Sequence, residues 1–134
     1  MHFLFGQAQK PTNLPANHPL RKPILDGLRV LVEKDIKQKV TFRVATLRIL
    51  GDFAFIKCEP RTPADKPIDF KKTRYKSDIE QGFWDGPTCW GLVRKLKGKW
   101  TGIVQVIGPT DVAWSDWTEK PYNAPKALLF PDGL

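Results

Sequence analysis

Histidine is almost missing from this sequence. Of the 134 residues only His2 and His18 are histidine, and both lie within the first nineteen positions. Histidine is the side chain that most often performs general acid–base catalysis near neutral pH, because its charge changes in that range. The body of the chain therefore lacks the usual residue for such chemistry.

Catalytic and phosphate-binding motifs are missing as well. The sequence has no GxSxG turn, no glycine-rich phosphate loop and no HExxH motif. Carboxylates remain as candidates, and Asp85, Asp111 and Asp116 lie near predicted strand ends, where a pair would converge at one mouth of the fold. Aspartates beside glycine or threonine are more often turn and capping residues. We therefore predict no catalytic residue, no metal and no cofactor.

Cysteine is limited to Cys58 and Cys89, each within a strand-like segment. Two isolated cysteines are too few for a zinc site. If the two strands are neighbours, a cross-strand disulfide would contribute about 3 to 4 kcal/mol in the chain-entropy model. The alternative is two buried thiols that pack as small hydrophobic groups. The disulfide requires export, because cytosolic chemistry keeps thiols reduced.

Acidic residues are outnumbered, and long apolar runs are missing. The chain carries 14 acidic and 22 basic residues, for a formal net charge of +8. Such a surface attracts anions, for example nucleic acid, phospholipid headgroups or acidic cell-wall polymers. No stretch approaches the roughly 20 apolar residues of a transmembrane helix, so we predict no transmembrane segment.

The amino terminus looks like the end of a secretory signal. Phe3, Leu4 and Phe5 are followed by Gly6-Gln7-Ala8, a small-x-small pattern, but the apolar run is shorter than a working signal needs. We interpret this as a truncated leader or a misassigned start with Gln9 as the mature terminus. The alternative is an ordinary terminus. The expected location is periplasmic or secreted, with cytoplasmic as the alternative.

The domain organisation follows from length and composition. Residues 1–19 are predicted to be a flexible arm or signal remnant, because residues 9–18 are rich in proline, asparagine and threonine. Residues 20–134 have the length of a single domain. We therefore expect one core.

The strongest local signal begins at Leu20, where the pattern predicts an amphipathic helix. Pro23 then lies in the first turn, where its missing amide hydrogen costs little. A helix with one apolar face needs a sheet to pack against. The apolar stripe consists of Ile24, Leu25, Leu28, Leu31, Val32 and Ile36.

Four strands follow the helix. The alternation that begins at Val40 changes phase near Ala45 or Thr46, which predicts a β-bulge. Gly51-Asp52 is a tight turn into residues 53–59. Residues 89–96 and 100–107 form a second hairpin around Lys97-Gly98-Lys99. The predicted fold is α+β, one long helix packed on a curved four-stranded antiparallel sheet, with short C-terminal helical turns.

The C-terminal turns bring tryptophans together. Thr110 or Asp111 would cap a turn that places Trp114 and Trp117 on one side, and Asn123 would cap a last turn. We interpret these turns as plugs for the sheet edge or the open end of the core. Core packing is favoured over a stacking platform for a sugar or base.

A basic run in the least regular part of the chain is a second candidate for binding. Its sequence KKTRYK carries an aromatic residue among cations, as in nucleic-acid interfaces. A solvated loop is favoured, since no ordered set of exposed aromatics accompanies it. The candidate residues for a ligand or partner are thus Lys71, Lys72, Arg74, Tyr75 and Lys76 in this run, and Trp114 and Trp117 near the C terminus.

The blocks RKPILDGLR, LRILGDFAFIKCEP, VRKLKGKWTGIVQVIGPTDVAWSDW and APKALLF resemble small exported bacterial proteins of unassigned function, over residues 21–130. The helix-then-strands order is similar to the cystatin-like and nuclear-transport-factor-like architecture. That resemblance implies a curved antiparallel sheet wrapped on a helix, and it transfers no catalytic residues. It leaves function open, because such folds serve enzymes, carriers and interaction modules alike.

The first functional hypothesis is a non-enzymatic, exported binding module with a basic surface. Its partner would be a protein or an anionic envelope component, and the chain would be a monomer or homodimer. The alternative is a small carboxylate-dependent hydrolase or isomerase acting in the cavity between helix and sheet. Nucleic-acid binding ranks last if the chain is exported, since it would require contact with nucleic acid outside the cell.

Overall fold

The structure is a computed structural model that describes residues 10–133. The leader-like residues 3–8, the expected mature terminus Gln9 and His2 lie outside the described part of the chain. The elements run in the order strand, helix, two strands, short helix, two strands, short helix. They are β1 (Thr12–Asn13), α1 (Arg21–Ile36), β2 (Thr41–Leu50), β3 (Phe53–Arg61), α2 (Lys76–Glu80), β4 (Cys89–Leu96), β5 (Lys99–Ile107) and α3 (Lys126–Leu129).

The strands form one sheet in the order β1-β2-β3-β4-β5, with every neighbouring pair antiparallel. The prediction of an α+β fold with one long helix on an antiparallel sheet is confirmed. The predicted number of four strands is wrong, because β1 adds a fifth, in which Thr12 pairs with Ile49. A two-residue strand shows no alternation that a sequence pattern can detect.

The segment around β1 belongs to the fold. Leu14 is buried, and its backbone N–H donates to the carbonyl of Leu47 at 3.0 Å. Arg21 Nη1 in turn donates to the carbonyl of Leu14 at 2.9 Å. Although Thr12 and Asn13 are exposed, this stretch is tied to both the sheet and the start of α1.

Helix α1 follows the predicted stripe. Pro23 lies in its first turn, where helix amides have no intrahelical partner. The helix ends at Lys37, which has a left-handed backbone with φ 57° and donates its N–H to the carbonyl of Glu33 at 2.8 Å. This is a common way to terminate a helix. The buried residues are Ile24, Gly27, Leu28, Val32 and Ile36.

Glycines allow α1 to lie directly on β4 and β5. A Cβ atom placed on Gly102 would be 2.4 Å from the carbonyl oxygen of Gly27, and one on Gly91 would be 2.5 Å from Leu28 Cδ1. A side chain at Gly102 would push the helix backbone away, whereas one at Gly91 would displace the Leu28 side chain. The α1 backbone therefore packs directly against the β5 backbone at Gly102, and the Leu28 side chain fills the space between α1 and β4 at Gly91.

The predicted bulge in β2 is confirmed, since the pairing with β3 shifts between Val44 and Thr46. The β4–β5 connection is tighter than predicted. Leu96 pairs with Lys99, so the turn contains two residues. Both of them, Lys97 and Gly98, have positive φ (51° and 78°), as a type I′ turn requires.

The C-terminal segment covers the sheet face opposite α1. Successive residues of a strand point to opposite faces, and Ala54 and Ile56 pack with α1 residues whereas Phe53 and Phe55 pack with the C-terminal segment. The turns that were predicted to plug the sheet edge or the open end of the core therefore cover part of the second sheet face. The residues of the segment that are buried there are Trp117, Ala124, Leu128 and Leu129.

Two predicted capping roles do not occur. The turn after β5 is a 3-10 turn over Ser115–Thr118 that begins after Trp114, not after Thr110 or Asp111. Helix α3 follows Pro125, and neither turn has a side-chain cap. Asn123 instead has a positive φ of 53°, a conformation that asparagine tolerates better than most residues.

We predict that Gly102→Ala destabilises the protein by about 2 kcal/mol, because the added methyl group forces α1 away from β5. Chemical denaturation followed by tryptophan fluorescence measures the change. Thr101→Ala, on the same strand and without added atoms, is the matched control. A Gly102→Ala protein as stable as wild type would contradict the close helix–sheet packing.

Candidate functional site

The basic run 71–76 is divided by the structure into exposed and anchored residues. Lys71, Lys72 and Lys76 are exposed, whereas Tyr75 is only 4% exposed and packs edge-on against Phe70. A run that reads as uniformly basic in the sequence thus contains a core residue in its middle.

Asp35, near the end of α1, organises this region. Its carboxylate accepts hydrogen bonds from Tyr75 Oη at 2.5 Å, from Gln105 Nε2 at 2.8 Å and from Arg74 Nε. The Asp35 side chain is 10% exposed. These bonds join α1, the basic run and β5, so Arg74 and Tyr75 have a structural role here.

The hydrogen bonds change the titration of both partners. Burial by itself would raise the pKa of Asp35, but the bonds from Arg74, Tyr75 and Gln105 outweigh it and hold this pKa below its ordinary value. Burial, and then the bond to Asp35, raise the pKa of Tyr75 far above its ordinary value. Asp35 is therefore charged and Tyr75 protonated at neutral pH.

Cys58 and Cys89 are directly opposite each other on β3 and β4, so their strands are the neighbours that a cross-strand disulfide requires. Both are buried free thiols. The neighbouring Cys58 thiol and the burial raise the pKa of Cys89, and Cys89 Sγ donates to Gln105 Oε1 at 3.7 Å. A thiol kept protonated is a poor nucleophile. Whether the pair is oxidised to a disulfide stays a prediction.

The two candidate tryptophans lie in different environments. Trp117 is 4% exposed and contacts Phe55 edge-on, with ring centroids 6.2 Å apart. Trp114 is partly exposed and stacks on Trp90, with centroids 3.7 Å apart and planes inclined by 21°. Trp117 is thus a core residue, and Trp114 is available at the surface.

Trp114 forms one wall of a groove on the second sheet face. The groove has a volume of about 460 Å³ and lies between residues 112–114 and residues 129–133, with β2, β3 and β4 as its floor. We call it the aromatic groove. It is lined by Thr46, Arg48, Phe55, Lys57, Trp90, Val112, Trp114, Leu129, Phe130, Pro131, Asp132 and Gly133.

Arg48 joins the groove floor to the C-terminal segment. Its Nε and Nη2 donate to the carbonyls of Leu128 and Leu129 at 3.0 and 3.2 Å, and its guanidinium lies 5.1 Å from the centroid of Phe55. Burial lowers the pKa of Arg48, yet arginine remains charged at neutral pH. This cation both caps α3 and adds positive charge to the groove.

Lys57 is the second cation of the groove floor. Its Nζ lies 4.9 Å from the ring centroid of Trp90, within the range of a cation–π interaction. Across residues 10–133 it forms no ion pair. An ammonium group without a carboxylate partner, beside a stacked indole pair, is thus open to an anion.

A neighbouring cleft of about 330 Å³ shares Lys57, Trp90, Val112 and Trp114 with the aromatic groove. Two of the three candidate carboxylates, Asp85 and Asp111, line it. Asp116 does not, because it belongs to the 3-10 turn beside the buried Trp117. Asp85 and Asp111 thus line one cleft on the sheet face opposite α1.

A further cleft of about 440 Å³ lies in the segment between β3 and β4 and is lined mainly by Pro67, Ile68, Phe70, Ile79, Trp84 and Pro87. Its acidic groups already have partners. Glu59 pairs with Arg61 at 3.1 Å, and Asp69 accepts the backbone N–H of Lys71 at 3.1 Å. The aromatic groove is the better candidate site, because its lysine lies over the stacked Trp90–Trp114 pair, whereas Lys71 of this cleft is exposed.

Sequence reasoning missed Trp90, Arg48 and Lys57 as site residues. Lys57 directly follows the apolar run 53–56 of β3, and that interruption was the available signal for it. Arg48 lies in a strand that alternates polar and apolar residues, which gave no such signal. The pairing of Trp90 with Trp114 is set by the path of the C-terminal segment, which no local pattern predicts.

Within residues 10–133, no group of three or more histidine, cysteine, aspartate or glutamate side chains is arranged to hold a metal ion. No helix in that range is long and apolar enough to cross a membrane. The chain matches no protein-family model, no curated protein and no solved structure. The site is therefore interpreted from its own geometry.

We predict that Asp35→Asn destabilises the protein by about 2 kcal/mol at neutral pH, because charge-assisted hydrogen bonds are lost. The folded-state pKa of Asp35 lies below its unfolded value of about 4, so its contribution is present above that pH and is lost as the pH falls through the folded pKa. The difference in unfolding free energy between wild type and variant should therefore disappear in acid.

Denaturant unfolding at several pH values measures this difference. Glu80→Gln, which removes one exposed carboxylate from α2, is the matched control and should leave stability nearly unchanged. A difference between wild type and Asp35→Asn that persists unchanged at low pH would contradict the role given to the carboxylate.

Proposed function

We propose that this protein is a non-enzymatic, exported binding module whose aromatic groove binds an acidic saccharide of the cell envelope. The observation that carries the proposal is the unpaired Lys57 beside the Trp90–Trp114 stack. A curved cystatin-like sheet is part of the proposal, as is export, which is supported by the leader-like residues 3–8.

The chemistry of the groove suits a ligand with an apolar face and an anionic group. Indole rings offer large apolar faces with a polar edge, and sugars pack their C–H faces against such surfaces. A carboxylate or phosphate on the ligand would form a charge-assisted hydrogen bond with Lys57 Nζ. Neither the indole rings nor Lys57 alone would select an acidic saccharide. Together they match its apolar C–H face and its anionic group.

The size and surroundings of the groove support the same class of ligand. Its volume of about 460 Å³ lies within the range of sites that hold small ligands. A net charge of +8 attracts polyanions at long range and increases their rate of encounter. Asp132 is the one acidic residue that lines the groove, against the cations of Arg48 and Lys57.

We predict that an oligogalacturonate binds the wild-type protein, whereas the uncharged methyl ester of the same oligosaccharide binds at least tenfold more weakly. Trp114→Ala and Lys57→Gln should each weaken binding of the acidic form by about tenfold, through lost stacking and a lost charge-assisted bond. Lys57→Gln should also reduce the preference for the acidic form over the ester.

Isothermal titration calorimetry and tryptophan fluorescence measure these affinities. Lys72→Gln removes the same charge from an exposed position outside the groove and is the matched control for Lys57→Gln. Equal binding of the acid and its ester would refute the role of charge. Unchanged affinity in both groove variants would refute this location for the site.

The alternative function is a small carboxylate-dependent hydrolase or isomerase, and the observation that favours it is the shared cleft of Asp85 and Asp111. Such an enzyme would act on the outer side of the sheet, since no residue of α1 lines any of the clefts described. Both aspartates are exposed, which leaves them accessible to a substrate.

For this alternative we predict turnover of chromogenic glycoside or ester substrates by the wild-type protein, with a loss of at least 100-fold in the Asp85→Asn/Asp111→Asn variant, the usual contribution of general acid–base catalysis. Absorbance assays with Asp116→Asn as the control test it. Turnover by wild type that is no faster than in buffer would leave the binding module as the function.

A further inference from the structure

The β4–β5 hairpin ends in a compact cluster of cations. Four basic side chains, Arg94, Lys95, Lys97 and Lys99, fall within six consecutive residues. All four are exposed. In the part of the chain that the structure describes, none of them forms an ion pair. We call residues 94–99 the basic tip.

The basic tip is held firmly by the rest of the sheet. Pairing of β4 with β5 continues to its last residues, Leu96 and Lys99, so the connection is only two residues long. The N–H of Lys95 donates to the carbonyl of Asp52 at 2.7 Å, and the guanidinium of Arg94 lies 4.8 Å from the ring centroid of Phe53. The cations are thus presented on a fixed support.

The neighbouring β2–β3 turn reduces the positive charge of the basic tip only in part. Asp52, in the β2–β3 turn, is the acidic residue tied to the basic tip by that backbone bond. One carboxylate against four cations leaves a local charge of about +3 by this count. Leu96, between the cations, is 41% exposed.

We propose that the basic tip binds peripherally to the surface of an anionic phospholipid bilayer, with Leu96 entering the headgroup region and the surrounding cations pairing with lipid phosphates. This inference goes beyond the binding function proposed above and does not depend on the aromatic groove. A leucine flanked by lysine and arginine has the chemistry of an interfacial membrane contact, in which apolar burial and attraction to anionic lipid act together.

A bilayer suits this surface better than a nucleic acid does. Proteins that bind single-stranded nucleic acid use exposed aromatic rings in a positively charged groove. The aromatic residues nearest the basic tip, Phe53 and Trp100, are 9% and 8% exposed, so they offer no platform for bases. The exposed apolar group of the basic tip is the aliphatic side chain of Leu96. Because Leu96 lies beside the hairpin turn, its side chain can contact a flat surface.

The sharpest test is co-sedimentation of the full chain with large unilamellar vesicles. Wild type should bind vesicles of equal parts phosphatidylcholine and phosphatidylglycerol, and should not bind phosphatidylcholine alone. The variant Lys95→Gln/Lys97→Gln/Lys99→Gln should lower the partition coefficient about 100-fold, since each cation near such a surface contributes about fivefold. Leu96→Ser should lower it by about tenfold through lost apolar burial.

The matched control is Lys71→Gln/Lys72→Gln/Lys76→Gln. It removes the same charge from three exposed lysines on another part of the surface, so any effect of net charge alone will be equal in the two variants. Retention of binding in this control, with loss in the tip variant, supports the proposal. Thermal unfolding of each variant establishes that it remains folded.

Several outcomes would overturn the inference. Equal losses of vesicle binding in the two triple variants would show that net charge alone attracts the protein to the bilayer, without a docking surface. If inorganic phosphate, at the same concentration as the lipid headgroups, abolishes vesicle binding, the basic tip is a simple anion site. Binding of an oligonucleotide that depends on the basic tip, without binding to anionic vesicles, would make nucleic acid the partner.

Discussion

The contact of α1 with β4 and β5 determines how the rest of the chain can be arranged. Gly27, Gly91 and Gly102 let the helix lie close to the strands, which brings Asp35 within hydrogen-bonding distance of Gln105. Tyr75 and Arg74 then bind the same carboxylate, so the segment between β3 and β4 is fixed by the position of the helix. One close backbone contact thus orders an otherwise irregular region.

The second face of the sheet explains the C-terminal segment and the aromatic groove. One helix covers one face, and the apolar residues on the other face need a separate cover. Trp117 and Leu128 supply it, and Arg48 holds α3 in place through two carbonyls. The groove is the part of this face that the cover leaves open, which is why Trp90 and Lys57 are accessible there.

The fold also divides the basic residues into two groups. Arg61 and Arg74 are paired with carboxylates and stabilise local structure, whereas Lys57 and the basic tip have no ion pair within the described residues. An ion pair within the protein weakens attraction to an external anion. The net charge of the sequence therefore indicates attraction to anions in general. The positions of the cations without an ion pair indicate which surfaces can bind an anion.

The sequence by itself determined α1, the four long strands, the bulge near Ala45 and the positions of the two hairpin turns, because each is encoded by the spacing of nearby residues. Only the tertiary structure decided that β1 joins the sheet, that Trp117 is buried while Trp114 stacks on Trp90, and that Asp35 binds Tyr75. These outcomes depend on contacts between residues that are far apart in the sequence. Trp90 and Trp114 are 24 positions apart, and Asp35 and Tyr75 are 40 positions apart. The energy of such contacts comes from burial and geometry that exist only once the chain has folded.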